Sequence, residues 1–93
     1  MAKYEPQPTA NFKKNVNLLK KRGYDLSLLM DVIAKLANGE TLPEQHRDHP
    51  LKGDRKGYRD CHIQNDWVLI YKIDKSVLTL ILCETGTHAD ILE

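Results

Sequence analysis

The sequence has 93 residues, of which 41% are hydrophobic and 29% charged, with a formal net charge of +1 at neutral pH. This size and composition indicate one folded domain over residues 1–93, too small for the cleft of a large cofactor and too apolar for a disordered chain. There is no apolar signal segment, and the longest uncharged apolar run, Val77–Cys83, is too short to cross a bilayer. We therefore expect a cytoplasmic protein without a membrane partner.

The first half of the chain predicts two helices. Thr9 is positioned to cap a first helix that ends near Arg22, after an extended segment that contains two prolines. Asp25 begins a second helix, and Asn38-Gly39 ends it. Because apolar residues recur along one face of each helix and the link between them is short, the pattern predicts a helical hairpin.

A long loop and a run of strands follow the helices. Residues 40–57 lack periodicity and contain two prolines and two glycines, and a loop of this length inside a small domain is usually functional. The remaining sequence predicts three antiparallel strands, of which the first two are joined by a Gln64-Asn65 turn: Tyr58–Ile63, Asp66–Ile73 and Val77–Thr85. The fold class predicted is α+β, with the helical hairpin packed on one face of a small twisted antiparallel sheet.

Metal and cofactor sites have weak support in the sequence. Cys61 and Cys83 lack metal-ligand spacing and lie in apolar strands, which favours reduced thiols, although a disulfide between them stays open. His46 and His49 are the one close histidine pair, and their spacing is not that of a usual zinc motif. We expect no metal and no cofactor, with a histidine–aspartate metal site as the less favoured alternative.

Three histidines flank the predicted sheet. His49 lies in the long loop, His62 near the end of the first strand and His88 just after the last strand. Strand alternation puts His62 on the face opposite Cys61, and the tight turn is expected to bring Asp66 beside His62. A carboxylate next to an imidazole orients the ring and suits a general acid, although a surface salt bridge at a hairpin end is the simpler alternative.

The histidines and the basic residues of the loop are the kinds of group that RNA cleavage by attack of a 2′-hydroxyl requires. The reaction needs a base, an acid and cations around the phosphate, and imidazoles supply the first two near neutral pH. Trp67 is expected either in the core or as a platform on which a base stacks. Four basic residues in or next to the loop are candidates for contacts with phosphate: Lys52, Arg55, Lys56 and Arg59.

Four ordered motifs suggest a family. They are D-H-P-L-K-G at 48–53, K-G-Y-R-D-C-H-I at 56–63, D-W-V-L-I-Y-K at 66–72 and T-G-T-H at 85–88. Together with the predicted layout, which is RelE-like, they resemble the YafQ-like branch of the RelE/ParE toxin superfamily over essentially the whole chain. The resemblance implies a toxin of a bacterial type II toxin–antitoxin pair, an endoribonuclease that enters the ribosomal A site and cuts messenger RNA without a metal.

The resemblance also implies partners and residue roles. Family functional positions fall on His49, His62, Asp66 and His88, with His88 or His49 as the base and His62 with Asp66 on the acid side. The implied partners are messenger RNA, the ribosome with its RNA, and a cognate ribbon–helix–helix antitoxin encoded next to the toxin. Operator DNA is expected to bind only through the toxin–antitoxin complex.

Two positions depart from the family pattern. Glu84 stands where relatives usually carry an arginine, and Leu92 stands where they tend to have a phenylalanine. Because a carboxylate repels phosphate, either Lys52, Lys56 or Arg59 supplies the positive charge, or Glu84 points elsewhere, or activity is weak. The alternative function is a catalytically weak relative that mainly binds antitoxin and represses an operator with it. A gyrase-directed toxin is a third hypothesis, which the histidines disfavour.

Overall fold

The computed structural model describes residues 2–91, which form three α-helices and a five-stranded sheet. Two short 3-10 turns, Glu44–His46 and Gly53–Arg55, lie in the long loop. In chain order, the strands and helices are β1 (Glu5–Pro8), α1 (Ala10–Lys21), α2 (Leu26–Ala37), β2 (His49–Pro50), β3 (Arg59–Gln64), β4 (Trp67–Asp74), β5 (Thr79–Thr87) and α3 (His88–Ile91). Within this described part, no helix is long and apolar enough to span a membrane.

The two predicted helices are confirmed, and local capping explains where they begin. The Thr9 hydroxyl accepts a hydrogen bond from the Phe12 amide at 3.0 Å, and an oxygen of Asp25 accepts one from the Ser27 amide at 3.0 Å. Each side chain satisfies a backbone donor that has no partner inside its helix. Both helices bury their apolar faces against the sheet, as the periodicity predicted.

The α+β fold class is confirmed, but the sheet is mixed rather than antiparallel throughout. The strand order is β1-β5-β4-β3-β2, and β1 pairs in parallel with β5, with Glu5 opposite Thr79. Two prolines are tolerated in β1 because it is an edge strand that needs donors on one side only. Hydrophobic periodicity carries no information on strand direction, so the sequence could not reveal this parallel pair.

Trp67 belongs to the core between the helices and the sheet. Its side chain is 2% exposed, its Nε1 donates a hydrogen bond to the Thr85 hydroxyl at 2.9 Å, and Tyr24 meets it edge-to-face at 5.2 Å. An indole enclosed in this way offers no face to a nucleobase. The alternative of a stacking platform is therefore wrong, and core burial explains the residue. Cys61 and Cys83 are free thiols, as expected.

The hairpin between β3 and β4 is shifted from the predicted register. A bulge between His62 and Gln64 lengthens β3 by one residue, and Asn65-Asp66 rather than Gln64-Asn65 form the turn. Asn65 adopts a φ of 46°, a left-handed conformation that asparagine tolerates better than most residues. As a result, Asp66 lies in the turn and not in β4.

Candidate active site

Asp66 is paired with His88 rather than with His62. Nδ1 of His88 and Oδ1 of Asp66 are 2.5 Å apart, and the His88 amide also donates to the Asp66 carbonyl at 3.2 Å. The expected pairing of Asp66 with His62 is wrong because the bulge in β3 and the one-residue shift of the turn carry Asp66 toward the end of β5. The carboxylate holds the proton of His88 on Nδ1 and leaves Nε2 available for chemistry.

The short helix α3 sets the position of His88, its first residue. Thr87 and Asp90 cap the helix reciprocally, since the Asp90 amide donates to the Thr87 hydroxyl and the Thr87 amide to Asp90 Oδ2, both at 3.2 Å. Arg22 at the end of α1 adds an ion pair to the same Asp90 oxygen at 2.9 Å. The hydrogen bond donated by Arg22, followed by that from the Thr87 amide, lowers the pKa of Asp90 below its ordinary 3.8.

His62 lies beside His88. The centroids of the two rings are 5.2 Å apart and their planes meet at 54°. One polar atom each of Asp60, His62 and His88 lie within 4.8 Å of one another. The structure therefore brings His62, His88 and Asp66 together at one end of the sheet, and it adds Asp60 to them.

Asp60 is the site residue that the sequence analysis did not single out. Its carboxylate is buried, with the residue 3% exposed, and Oδ1 has no hydrogen-bond partner among residues 2–91. Oδ2 lies 3.8 Å from Nε2 of His49, whose Nδ1 donates to the Arg47 carbonyl at 2.6 Å. The same strand alternation that assigned a face to His62 also puts Asp60 on that face, and this was the signal available.

The cluster of Asp60, His62 and His88 has the donor types of a transition-metal site. A carboxylate and two imidazoles are ligands that zinc and copper accept. The same three side chains are also suitably placed for proton transfer, so their chemistry alone does not require an ion.

Arg59 directly precedes Asp60 in β3, so strand alternation puts it on the face opposite Asp60 and His62. Its Nε donates to Oδ1 of Asp48 at 3.0 Å, and the Tyr71 hydroxyl donates to the same oxygen at 2.7 Å. Burial lowers the pKa of Arg59, but hydrogen bonds with Asp48 and Tyr71 outweigh it and raise that pKa above its ordinary value. Burial, followed by the hydrogen bond to Asp48, raises the pKa of Tyr71 strongly. Arg59 thus ties the long loop to the sheet, and because its side chain stays 39% exposed, its contact with RNA phosphate remains a prediction.

Glu84 is held by two neighbours. Its Oε2 lies 3.4 Å from an Arg55 guanidinium nitrogen, and its Oε1 accepts a hydrogen bond from Asn11 at 3.1 Å. Arg55, one of the expected phosphate contacts, therefore shares its charge with Glu84. Lys52 and Lys56 are exposed on the same loop. Leu92, the other departure from the family pattern, lies outside the described residues.

Known proteins resemble this chain both in sequence and in fold. A family profile described as the bacterial toxin of type II toxin–antitoxin system, YafQ, matches residues 4–93. The mRNA interferase toxin YafQ of Escherichia coli is 42% identical over 82 residues, which cover 87% of each chain.

Two solved structures extend the similarity to the whole fold. The Escherichia coli DinJ–YafQ toxin–antitoxin complex contains a chain that matches with a TM-score of 0.89 and 37% identity, covering 98% of this chain and 99% of that one. A metal-bound toxin from Helicobacter pylori matches with the same TM-score, identity and coverage.

Proposed function

The chain belongs to the YafQ family of bacterial toxins of type II toxin–antitoxin systems, and from this premise we propose that it is a ribosome-dependent endoribonuclease. It cuts messenger RNA in the ribosomal A site by acid–base chemistry without a metal, and so stops translation. The observation that carries the proposal is the pair of oriented imidazoles, His49 and His88, both close to Asp60: His49 Nε2 lies 3.8 Å from its Oδ2, and His88 clusters with Asp60 and His62 within 4.8 Å.

His49 is proposed as the base. Its Nδ1 donates to the Arg47 carbonyl at 2.6 Å, and this fixes the tautomer in which Nε2 carries the free lone pair. Nε2 accepts the proton of the ribose 2′-hydroxyl while the 2′-oxygen attacks the adjacent phosphorus. Asp60, 3.8 Å from Nε2, faces the imidazolium that then forms.

His88 is proposed as the acid. With Nδ1 held by Asp66, Nε2 of the protonated ring gives its proton to the 5′-oxygen as the bond between phosphorus and that oxygen breaks. The products are a 2′,3′-cyclic phosphate and a free 5′-hydroxyl. His62, beside His88, donates to a non-bridging phosphate oxygen and stabilises the charge that develops there.

The macromolecular partners follow from the same premise. Lys52 and Lys56 contact phosphates of messenger or ribosomal RNA, since both are exposed on the loop that carries His49. A ribbon–helix–helix antitoxin encoded next to the toxin binds and silences it in the cytoplasm. The DinJ–YafQ toxin–antitoxin complex of the relative supports an antitoxin as the partner. Operator DNA binds only to that complex.

Cleavage on programmed ribosomes tests the proposal. Purified wild type is expected to produce new 5′ ends in the A-site codon by primer extension, and to do so with a chelator that removes transition metals but leaves Mg²⁺. His49→Ala, His62→Ala and His88→Ala are each expected to cut at least 100-fold more slowly. Lys14→Ala, an exposed change on α1, is the control. Full cleavage by all three histidine variants would contradict the assignment.

A second candidate function rests on Glu84. Where the family resemblance implies an arginine, this acidic residue favours a weakly catalytic toxin that acts mainly as the antitoxin-binding part of an operator co-repressor. Absence of new 5′ ends with wild type, combined with tight operator binding by the toxin–antitoxin complex, would favour this function over cleavage.

A further inference from the structure

A second concave feature adjoins His62. A cavity of about 400 Å³ opens between the 3-10 turn Glu44–His46 and the end of the β3–β4 hairpin. His62 lines this cavity and is also a member of the cluster with Asp60 and His88. A ligand held in the cavity therefore lies next to the groups proposed to act on RNA.

The walls of the cavity are fixed by a buried histidine and a bulge. His46 is 8% exposed, and its Nδ1 donates to the carbonyl of His62 at 2.7 Å, which ties the 3-10 turn to β3. Ile63, the bulged residue of β3, is 8% exposed and supplies an apolar surface. The cavity is thus part of the folded loop and hairpin, not a gap between unconnected surface side chains.

The polar lining of the cavity consists mainly of amides. Gln45 lies on the 3-10 turn, Gln64 and Asn65 lie at the hairpin end, and Arg47 adds one cation. Each amide offers both a donor and an acceptor, which is the combination that the edge of a nucleobase presents. Bases of single-stranded RNA are recognised by such hydrogen bonds in pockets of this kind. No carboxylate from residues 2–91 lines the cavity, so nothing there repels the RNA backbone.

We propose that this cavity binds the nucleobase next to the scissile phosphodiester and so sets which sites in RNA are cut. The inference rests on the proposed endoribonuclease function and adds a specificity subsite to it. His62 both lines the cavity and belongs to the cluster of Asp60, His62 and His88. A base in the cavity therefore brings the neighbouring phosphate to that cluster.

Sequencing of the 5′ ends generated on a pool of messages tests the subsite. Gln45→Ala, Gln64→Ala and Asn65→Gly remove the amides, and glycine keeps the positive φ of residue 65. Each is expected to reduce the preference between the best and average sites by about tenfold while cleavage itself persists. Gln7→Ala, an amide change on the exposed edge of β1, is expected to leave the preference unchanged. An unaltered site distribution in all three amide variants would overturn the proposal.

Binding without cleavage separates this inference from the function on which it rests. An RNA trinucleotide with a 2′-deoxy sugar at the scissile position is expected to shift the side-chain amide NMR signals of Gln45, Gln64 and Asn65. The same trinucleotide with the neighbouring base removed is expected not to shift them, whereas equal shifts would indicate phosphate binding and overturn the proposal. If wild type binds the base but cuts no RNA, the proposed enzyme function fails and the subsite remains. If wild type cuts RNA but the amide signals do not shift, only the proposed base-binding subsite is contradicted.

Discussion

Asp66 and His88 are joined by a hydrogen bond of 2.5 Å between Oδ1 and Nδ1, although they are 22 residues apart. Asp66 lies in the turn before β4 and His88 at the start of α3, directly after β5. β4 and β5 are antiparallel, with Trp67 opposite Thr87. Asp66 directly precedes Trp67 and His88 directly follows Thr87, so these two residues also lie opposite each other. The antiparallel register of the two strands therefore creates the contact that orients His88.

The first prediction concerns this pair. Asp66→Asn is expected to slow single-turnover cleavage on ribosomes by about 10- to 100-fold, because the ring of His88 loses the charge that fixes its tautomer. The double variant Asp66→Asn/His88→Ala should be no slower than His88→Ala, since Asp66 acts through that ring. Asp31→Asn, an exposed acid on α2, is the control. Losses that multiply in the double variant would show that Asp66 has a separate role.

The second prediction separates activity from stability at Asp60. A buried carboxylate with one oxygen lacking a partner within the described residues carries a desolvation cost of about 1 kcal/mol or more. Asp60→Asn removes the charge, so we expect it to raise the free energy of unfolding by about 1 kcal/mol and to slow cleavage at least tenfold. Urea denaturation and the ribosome assay measure the two effects. A variant that is both less stable and fully active would contradict this reading of Asp60.

The helices and the composition of the site could be predicted from sequence because their signals are local. Thr9 and Asp25 cap helices through contacts two or three residues away, and apolar periodicity then assigns the buried faces. The histidines could be identified as candidate site residues because each stands at the end of a predicted element or in the irregular loop.

The pairing of side chains within the site could not be predicted, because it depends on long-range register. Because Ile63 forms a bulge in β3, Asp66 lies beside His88 and not in the predicted position beside His62. The alternation of side chains along β3 does not indicate where a bulge occurs. Arg59 likewise forms a hydrogen bond with Asp48, which lies in the long loop eleven residues earlier in the chain. Trp67 was ambiguous because a tryptophan near a strand end suits either a core or a stacking surface.

The third prediction is a pH dependence at α3. The pKa of Asp90 is lowered from 3.8, first by Arg22, so its contribution to stability is present above that value and is lost as the pH falls through the lower folded value. Because both side chains are partly exposed, Asp90→Asn should cost less than about 1 kcal/mol at neutral pH. Denaturation curves of wild type and variant should approach each other as the pH falls below 3.8 and should converge once it is below the lowered pKa of folded Asp90. A difference that persists at that acidity would exclude the ion pair as its cause.

The fourth prediction uses Glu84 to weigh the two candidate functions. Glu84 lies 3.4 Å from Arg55, and Glu84→Gln removes a negative charge and frees one guanidinium. If the loop contacts RNA, binding of an uncleavable RNA should strengthen at low salt, and the slope of log affinity against log salt should steepen by about one contact.

Arg55→Ala is the matched variant for this prediction, because it removes the cation that Glu84→Gln releases. The double variant should then lose the steeper salt dependence while keeping the fold, as checked by circular dichroism. Cleavage should rise with affinity in Glu84→Gln if the chain is an enzyme limited by phosphate repulsion. A gain in affinity without any cleavage would instead favour the antitoxin-binding co-repressor, because the charge would then affect RNA contact and leave no chemistry to improve.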